Sequence, residues 1–246
     1  MRMPRVAGVV ERRLLVNYRV DPDVAAGLVP APFRPQLVDG ASVAGICLIR
    51  LGHLRPSGFP AFTGMTTENA AHRVAVEWDE DGVTKVGVYI PRRDSDSFLT
   101  ATVGGRLFSG EYHRARFDVR EDDTRLRVAF ASNDGSASVA VDVEVAPSLE
   151  GSTLFADVDE ASAFFENGSV GFSATREDGR YDGMKLRTDA WAVEAGAVRE
   201  ARSSFFDALP PGTATLDCAL VMRRVPVVWD ALPSLHRRDA ALAPGA

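Results

Sequence analysis

The chain has 246 residues, a mass of 26.5 kDa, a formal charge of −6 and a pI near 5.3. Hydrophobic residues make up 46% and charged residues 25%, the balance of a globular protein that forms one large β-rich domain or two smaller ones. The acidic balance argues against a nucleic-acid or anionic-membrane partner, and of the 28 Lys and Arg residues only Lys85 and Lys185 are lysines, so lysine chemistry has two candidates.

Met1 to Leu15 carries Glu11, Arg12 and Arg13 after a short apolar stretch and develops no signal-peptide core. The longest clearly apolar run, Val43 to Ile49, is far below the roughly 20 residues that cross a bilayer, so the expected location is the cytoplasm. Leu14, Val16, Tyr18 and Val20 alternate with Leu15, Asn17 and Arg19, which predicts a strand with two different faces. Asp21-Pro22-Asp23 then opens a helix that ends at Val29-Pro30. Strands follow at Ser42 to Leu51, at His72 to Trp78 and at Thr84 to Ile90, the last two separated by the turn Asp79-Glu80-Asp81-Gly82.

A helix is predicted from Ser95 to Val103 with Gly104-Gly105 as its stop. Tyr112 to Arg120, Arg125 to Ser132 and Ala137 to Val145 read as strands joined by turns at Glu121-Asp122-Asp123 and Asn133-Asp134-Gly135. A second clear helix runs from Asp157 to Glu166 and closes at Asn167-Gly168. The last strands are Val170 to Thr175, Leu186 to Val198 and Thr215 to Val228. The fold class is therefore α+β but mostly β: a single domain over residues 5–234, with about ten largely antiparallel strands curled into a barrel or cone and a few short helices. Residues 235–246 read as a poorly ordered tail.

No nucleophile elbow, phosphate-binding loop, dinucleotide fingerprint or paired-cysteine zinc pattern is present. The four histidines are scattered, no metal site is expected, and no cofactor is implied. Cys47 and Cys218 lie in apolar runs and read as reduced core residues rather than as a disulfide or a nucleophile. His72 and His113 share parity with apolar neighbours; each is a hydrogen-bonded core histidine or a polar group lining a cavity. The cluster from Tyr89 to Ser97 holds Arg92 and Arg93, which either bind an anionic substrate or pair with Asp94 and Asp96. Arg114, Arg116 and Arg120 read as a solvated strand face.

Several segments carry a resemblance. They are Leu15 to Asp21, Val29 to Phe33, Thr67 to Arg73, Gly87 to Asp94, Gly104 to Phe108 and Arg202 to Phe206. In that order they resemble the YqjF-like family, a domain of unknown function. That family is similar in turn to the acetoacetate decarboxylase-like superfamily through Tyr18-Arg19-x-Asp21, the following helix, Pro30-Ala31-Pro32 and a glutamate after threonine. The resemblance implies a curled antiparallel barrel around a small-molecule pocket.

In acetoacetate decarboxylase a lysine forms a Schiff base with the substrate ketone. The corresponding segment here, Arg106 to His113, contains no lysine, and an arginine stays protonated and cannot replace it. Lys85 and Lys185 read as exposed strand-edge residues, so Schiff-base decarboxylation is disfavoured. Through the resemblance Arg19 matches a pocket arginine and Glu68 an active-site glutamate.

The resulting expectation places Glu68 and His72 as an acid/base pair, the alternative for Glu68 being a structural ion pair. Arg19, Asn17, Tyr89, Arg92, Arg93, Arg106 and His113 are the expected substrate-binding residues. The expected function is lysine-independent lyase, hydratase, isomerase or cyclase chemistry on a small carbonyl- or carboxylate-bearing metabolite, with non-catalytic binding of a small metabolite as the alternative. The expected partner is a small molecule, with no nucleic acid and no membrane, and nothing in the sequence opposes a homo-oligomer.

Overall fold

The structure is a computed structural model that describes residues 5–97, 110 and 112–237. Its strands run well past the stretches of clean alternation. They are β1 (Val6–Val20), β4 (Ala41–Pro56), β5 (Met65–Glu80), β6 (Val83–Ser95), β7 (Tyr112–Glu121), β8 (Arg125–Ser132), β9 (Ser138–Ala146), β10 (Val170–Ala174), β11 (Arg180–Arg187), β12 (Glu194–Ser203) and β13 (Ala214–Ala231). Three two-residue strands, β2 (Arg34–Pro35), β3 (Leu37–Val38) and β14 (Leu235–His236), complete the set.

The helices are α1 (Pro22–Ala26), α2 (Val158–Asn167) and α3 (Ser204–Asp207). Asp21 caps α1 by accepting from the Asp23 and Val24 amides, and Asp157 caps α2 by accepting from the Glu160 amide.

Two expected elements differ. The single strand expected from Leu186 to Val198 is two strands, β11 and β12, which break at residues 188–193 and pair with different neighbours. β6 continues through Ser95, where a helix was expected to start, and the rest of that segment from 98 onward lies outside the described residues. At the other end, Leu235 and His236 pair with Tyr181 and Arg180, so the paired chain reaches past residue 234. The turn after β5 has Asp81 and Gly82 both at positive φ, the conformation that a two-residue hairpin needs.

Strand pairing closes two rings. β6–β7–β8–β9–β12–β13–β1–β4–β5 returns to β6, and β10 with β11 bridges β6 to β13 to make a second ring of seven strands. The pairs β6–β7 and β6–β10 are parallel and the remaining ones antiparallel. Closure removes the open edges that a sheet of this size would otherwise expose.

The rings share β13, β1, β4, β5 and β6, and the central parts of β1, β4 and β5 are buried on both faces. One face of β1, β4 and β5 presents Leu14, Val16, Ile46, Leu48, Val74 and Val76 to a core completed by Leu126, Val128, Phe130, Val139, Val141 and Val143. The opposite face presents Leu15, Cys47, Ala71 and Ala75 toward α2, whose buried residues are Ala161 and Phe165. The β1–β4 register has a bulge between Val10 and Arg12, and beyond it ordinary alternation turns the consecutive Arg12 and Arg13 to opposite faces.

Candidate functional site

The second face holds a cavity of about 140 Å³. The strand register builds its polar wall in lateral rows. Leu15, Cys47, Ala71 and Arg93 lie side by side; on one flank stand Arg13, Ile49 and Asn69, and on the other Asn17, Gly45 and Arg73. Alternation turns all of these side chains the same way. The opposite wall is apolar: Val170, Met184, Leu186, Trp229 and the Phe165 ring from α2.

Arg73 is only 3% exposed. Its Nη2 donates to Asn17 Oδ1, and its guanidinium carbon lies 4.6 Å from the Phe165 ring centroid. Its Nε and Nη1 have no hydrogen-bond partner. Gly45, between Asn17 and Arg73, makes that reach across β4 feasible, because a Cβ there would collide with the Val16 carbonyl and come within 3.2 Å of both Arg73 Nη2 and Asn17 Oδ1.

Arg13 Nε donates to Cys47 Sγ at 3.3 Å, and its guanidinium carbon lies 5.9 Å from the Trp191 ring centroid. Arg93 Nε donates to Ser173 Oγ at 3.3 Å and its guanidinium sits over Tyr112. Burial pushes the Tyr112 phenol up, against the pull of Arg93. Among the described lining residues there are three arginines and no carboxylate or lysine.

Burial lowers the Arg73 guanidinium to about 10, with Arg13 adding like-charge repulsion. It remains a cation at neutral pH. A buried cation with no counterion is costly, and the groups that most directly offset that cost are the oxygens of an anion.

The expected residues divide between this cavity and the opposite face. Arg93 lines the cavity and Asn17 holds Arg73 from behind it. Arg92 does not: it is bidentate to the buried Asp94, at 2.8 and 2.9 Å, and donates to Ser136. β6 extends through both arginines, so neighbours in sequence point to opposite faces. Tyr89 packs with Phe33 and Tyr181 on the face away from the cavity. Arg19 lies in a shallow surface cleft with Asp21, Gly212 and Thr213, separate from the cavity. His113 Nδ1 lies 3.1 Å from Asp134 Oδ2 and does not line the cavity. Arg106 lies outside the described residues.

Glu68 and His72 do share one face of β5, but it is the face opposite the cavity. Glu68 is clamped by Arg12 and by Arg50 at 2.6 Å, and both arginines also reach Glu121. His72 is fully buried, stacked on Phe205 at 4.7 Å, with Nε2 3.3 Å from Ser203 Oγ. Burial, reinforced by Arg92, lowers its imidazole to about 4, so it is neutral at pH 7. Neither geometry presents the group to a bound molecule. Lys85 and Lys185 are exposed and outside the cavity.

Arg73, Arg13, Asn69, Tyr112 and Cys47 are lining residues that the sequence reading did not select. The available signal was the β5 sequence Ala71-x-Arg73-x-Ala75, an arginine flanked on its own face by small apolar residues rather than by the polar ones of a solvated face. Among the described residues no group of three His, Cys, Asp or Glu is placed to hold a metal, and no helix is long and apolar enough to cross a membrane.

Solved structures of similar architecture include an acetoacetate decarboxylase-like enzyme from Sphingomonas wittichii RW1, 12% identical, covering 96% of this chain and 93% of that one with a TM-score of 0.60. The acetoacetate decarboxylase of Legionella pneumophila is 10% identical, covering 94% and 88%, also with a TM-score of 0.60. The enduracididine biosynthesis enzyme MppR, in complex with pyruvate, is 13% identical, covering 96% and 91% with a TM-score of 0.56. At these identities the likeness shows the fold. No functionally curated protein matches the sequence. Residues 9–215 match the DUF2071 family, described as an uncharacterized conserved protein, and the chain therefore belongs to that family, whose fold here is acetoacetate decarboxylase-like, in keeping with the resemblance carried by its motifs.

Proposed function

We propose that this protein takes a small carbonyl-bearing carboxylate into the arginine-lined cavity and acts on it without a Schiff base. The observation that carries this reading is Arg73: a 3%-exposed guanidinium with two unpartnered nitrogens in a cavity whose described lining has no acid. A carboxylate would accept from Arg73 Nε and Nη1, with Arg13 or Arg93 as second donor. A cavity of about 150 Å³ holds a ligand the size of benzene, and this one, at about 140 Å³, suits a molecule of pyruvate size. The apolar wall of Met184, Leu186 and Trp229 would meet its alkyl end. Complex formation between MppR and pyruvate on the same fold guides the choice of probe.

Such binding by itself would serve a carrier or sensor equally well, and the described lining residues include no carboxylate or imidazole. Thermal unfolding with pyruvate, 2-oxobutyrate and acetoacetate, beside acetone and methyl pyruvate, tests the binding claim. A ligand at a hundred times its Kd stabilises by about 2.7 kcal/mol, which raises Tm by roughly 5–10 °C for a chain of this size. The carboxylates should produce that rise and the uncharged molecules should not; equal effects would refute it. Turnover of any stabilising ligand separates enzyme from carrier.

A further inference from the structure

Cys47 is the one thiol on the cavity wall, and the register places it between the arginine rows: Arg13 on one flank, Arg73 on the other, Arg93 in its own row beyond Ala71. It is free, and its sulfur accepts a hydrogen bond from Arg13 Nε at 3.3 Å. Arg73, which lines the same cavity and is buried with two unpartnered guanidinium nitrogens, points independently to an anionic ligand there. We propose that Cys47 is the nucleophile of this cavity, adding reversibly to the carbonyl carbon of a bound 2-oxo carboxylate. The inference rests on the carboxylate-binding reading above.

In this step a Cys47 Sγ–C bond forms, the carbonyl π pair moves onto oxygen, and that oxygen takes up the proton the thiol gives up. The product is a thiohemiketal, atoms balance with no further reactant, and the same path run backwards releases the ligand. Arg13 Nε, 3.3 Å from Cys47 Sγ, holds the sulfur that would attack on the cavity wall. A carboxylate held on Arg73 would hold its adjacent carbonyl near the row that contains Cys47.

Cys218 is a reference within the same chain. It lies on the other side of β1, accepts from Asn17 Nδ2 at 3.4 Å, does not line the cavity, and burial pushes its thiol up to about 12.

The test maps alkylation of both cysteines in the native parent protein by iodoacetate and by iodoacetamide, with and without excess pyruvate. Although the amide is ordinarily the faster reagent toward a thiolate, Cys47 should react about tenfold faster with iodoacetate because the cavity cations gather the charged reagent. Pyruvate should protect it, and Arg73→Met should abolish the preference. Carbonyl-labelled [13C]pyruvate should show a tetrahedral carbon distinct from the hydrate, lost in Cys47→Ser.

If pyruvate raises Tm but Cys47 reacts with iodoacetate no faster than Cys218, or the bound carbonyl carbon stays trigonal, the nucleophile assignment is overturned and carboxylate binding stands. If Cys47 outpaces Cys218 with both reagents but shows neither preference for iodoacetate nor protection by pyruvate, carboxylate binding fails and this inference fails with it.

Discussion

Replacing Arg73 with methionine separates a ligand-binding role from a structural one. An arginine in a buried structural ion pair costs about 3–5 kcal/mol when truncated, because its partner is left charged and unpaired. Arg73 has no such partner among the described residues. Burial instead lowers its guanidinium from 12.5 to about 10, which corresponds to about 3 kcal/mol held against the charged form.

Methionine removes that cost and keeps much of the aliphatic stem. It leaves Asn17 Oδ1 without its donor, a loss of about 1–3 kcal/mol, and removes the contact with Phe165, worth about 1 kcal/mol. These contributions offset one another to within about 2 kcal/mol, so Tm of the ligand-free Arg73→Met protein should stay within about 8 °C of the parent.

The assay is thermal unfolding followed by circular dichroism, with and without pyruvate. The parent should gain stability with pyruvate and the variant should gain none. A fall in ligand-free Tm of more than about 8 °C would exceed those contributions, as the loss of a structural pair worth about 3–5 kcal/mol would, and would refute the reasoning. So would an undiminished response to pyruvate.

His72 sets an acid limit on stability. Its folded value of about 4 lies below the ordinary 6.5, so its contribution is fully present above pH 6.5 and declines as pH falls toward 4, by about 3 kcal/mol in all; urea midpoints across that range should show a flatter slope in His72→Gln. Glu68→Gln should cost about 2–4 kcal/mol by leaving Arg12, at 2% exposure, with Glu121 as its remaining ion-pair partner among the described residues, yet leave the response to pyruvate intact; loss of that response without loss of stability would return Glu68 to the site. Gly45→Ala should cost about 1–3 kcal/mol by forcing the backbone of β1 away and should weaken carboxylate binding as Arg73 loses its seat; unchanged affinity would show that the link to Asn17 is dispensable. Borohydride reduction in the presence of pyruvate should leave Lys85 and Lys185 unmodified, and an adduct mapped to either would overturn the amine-free account.

Local signals in the sequence carried the local elements. Asp21 and Asp157 marked helix starts because a capping carboxylate needs only the next turn of its own chain. Alternation located most long strands but not their ends, since β1 and β6 continue through charged residues that tertiary closure buries or pairs, and it did not separate β11 from β12. The main divergence has the same origin. Arg73 stands on the face of β5 opposite His72 and Val74, and what covers that face is a second ring closed by β10 and β11 far along the chain. Ending β6 at Ile90 likewise kept Arg92 and Arg93 together as an anion site, whereas a strand reaching Ser95 separates them. The two-lysine count needed no structure to interpret, and the positions of Lys85 and Lys185 outside the cavity agree with it.

The most direct test is a crystal structure of the protein with pyruvate. The account predicts a carboxylate within hydrogen-bond distance of Arg73 Nε and Nη1, with its 2-oxo carbon facing Cys47. Pyruvate bound elsewhere, or a cavity in which Arg73 instead pairs with a carboxylate of the chain itself, would contradict it.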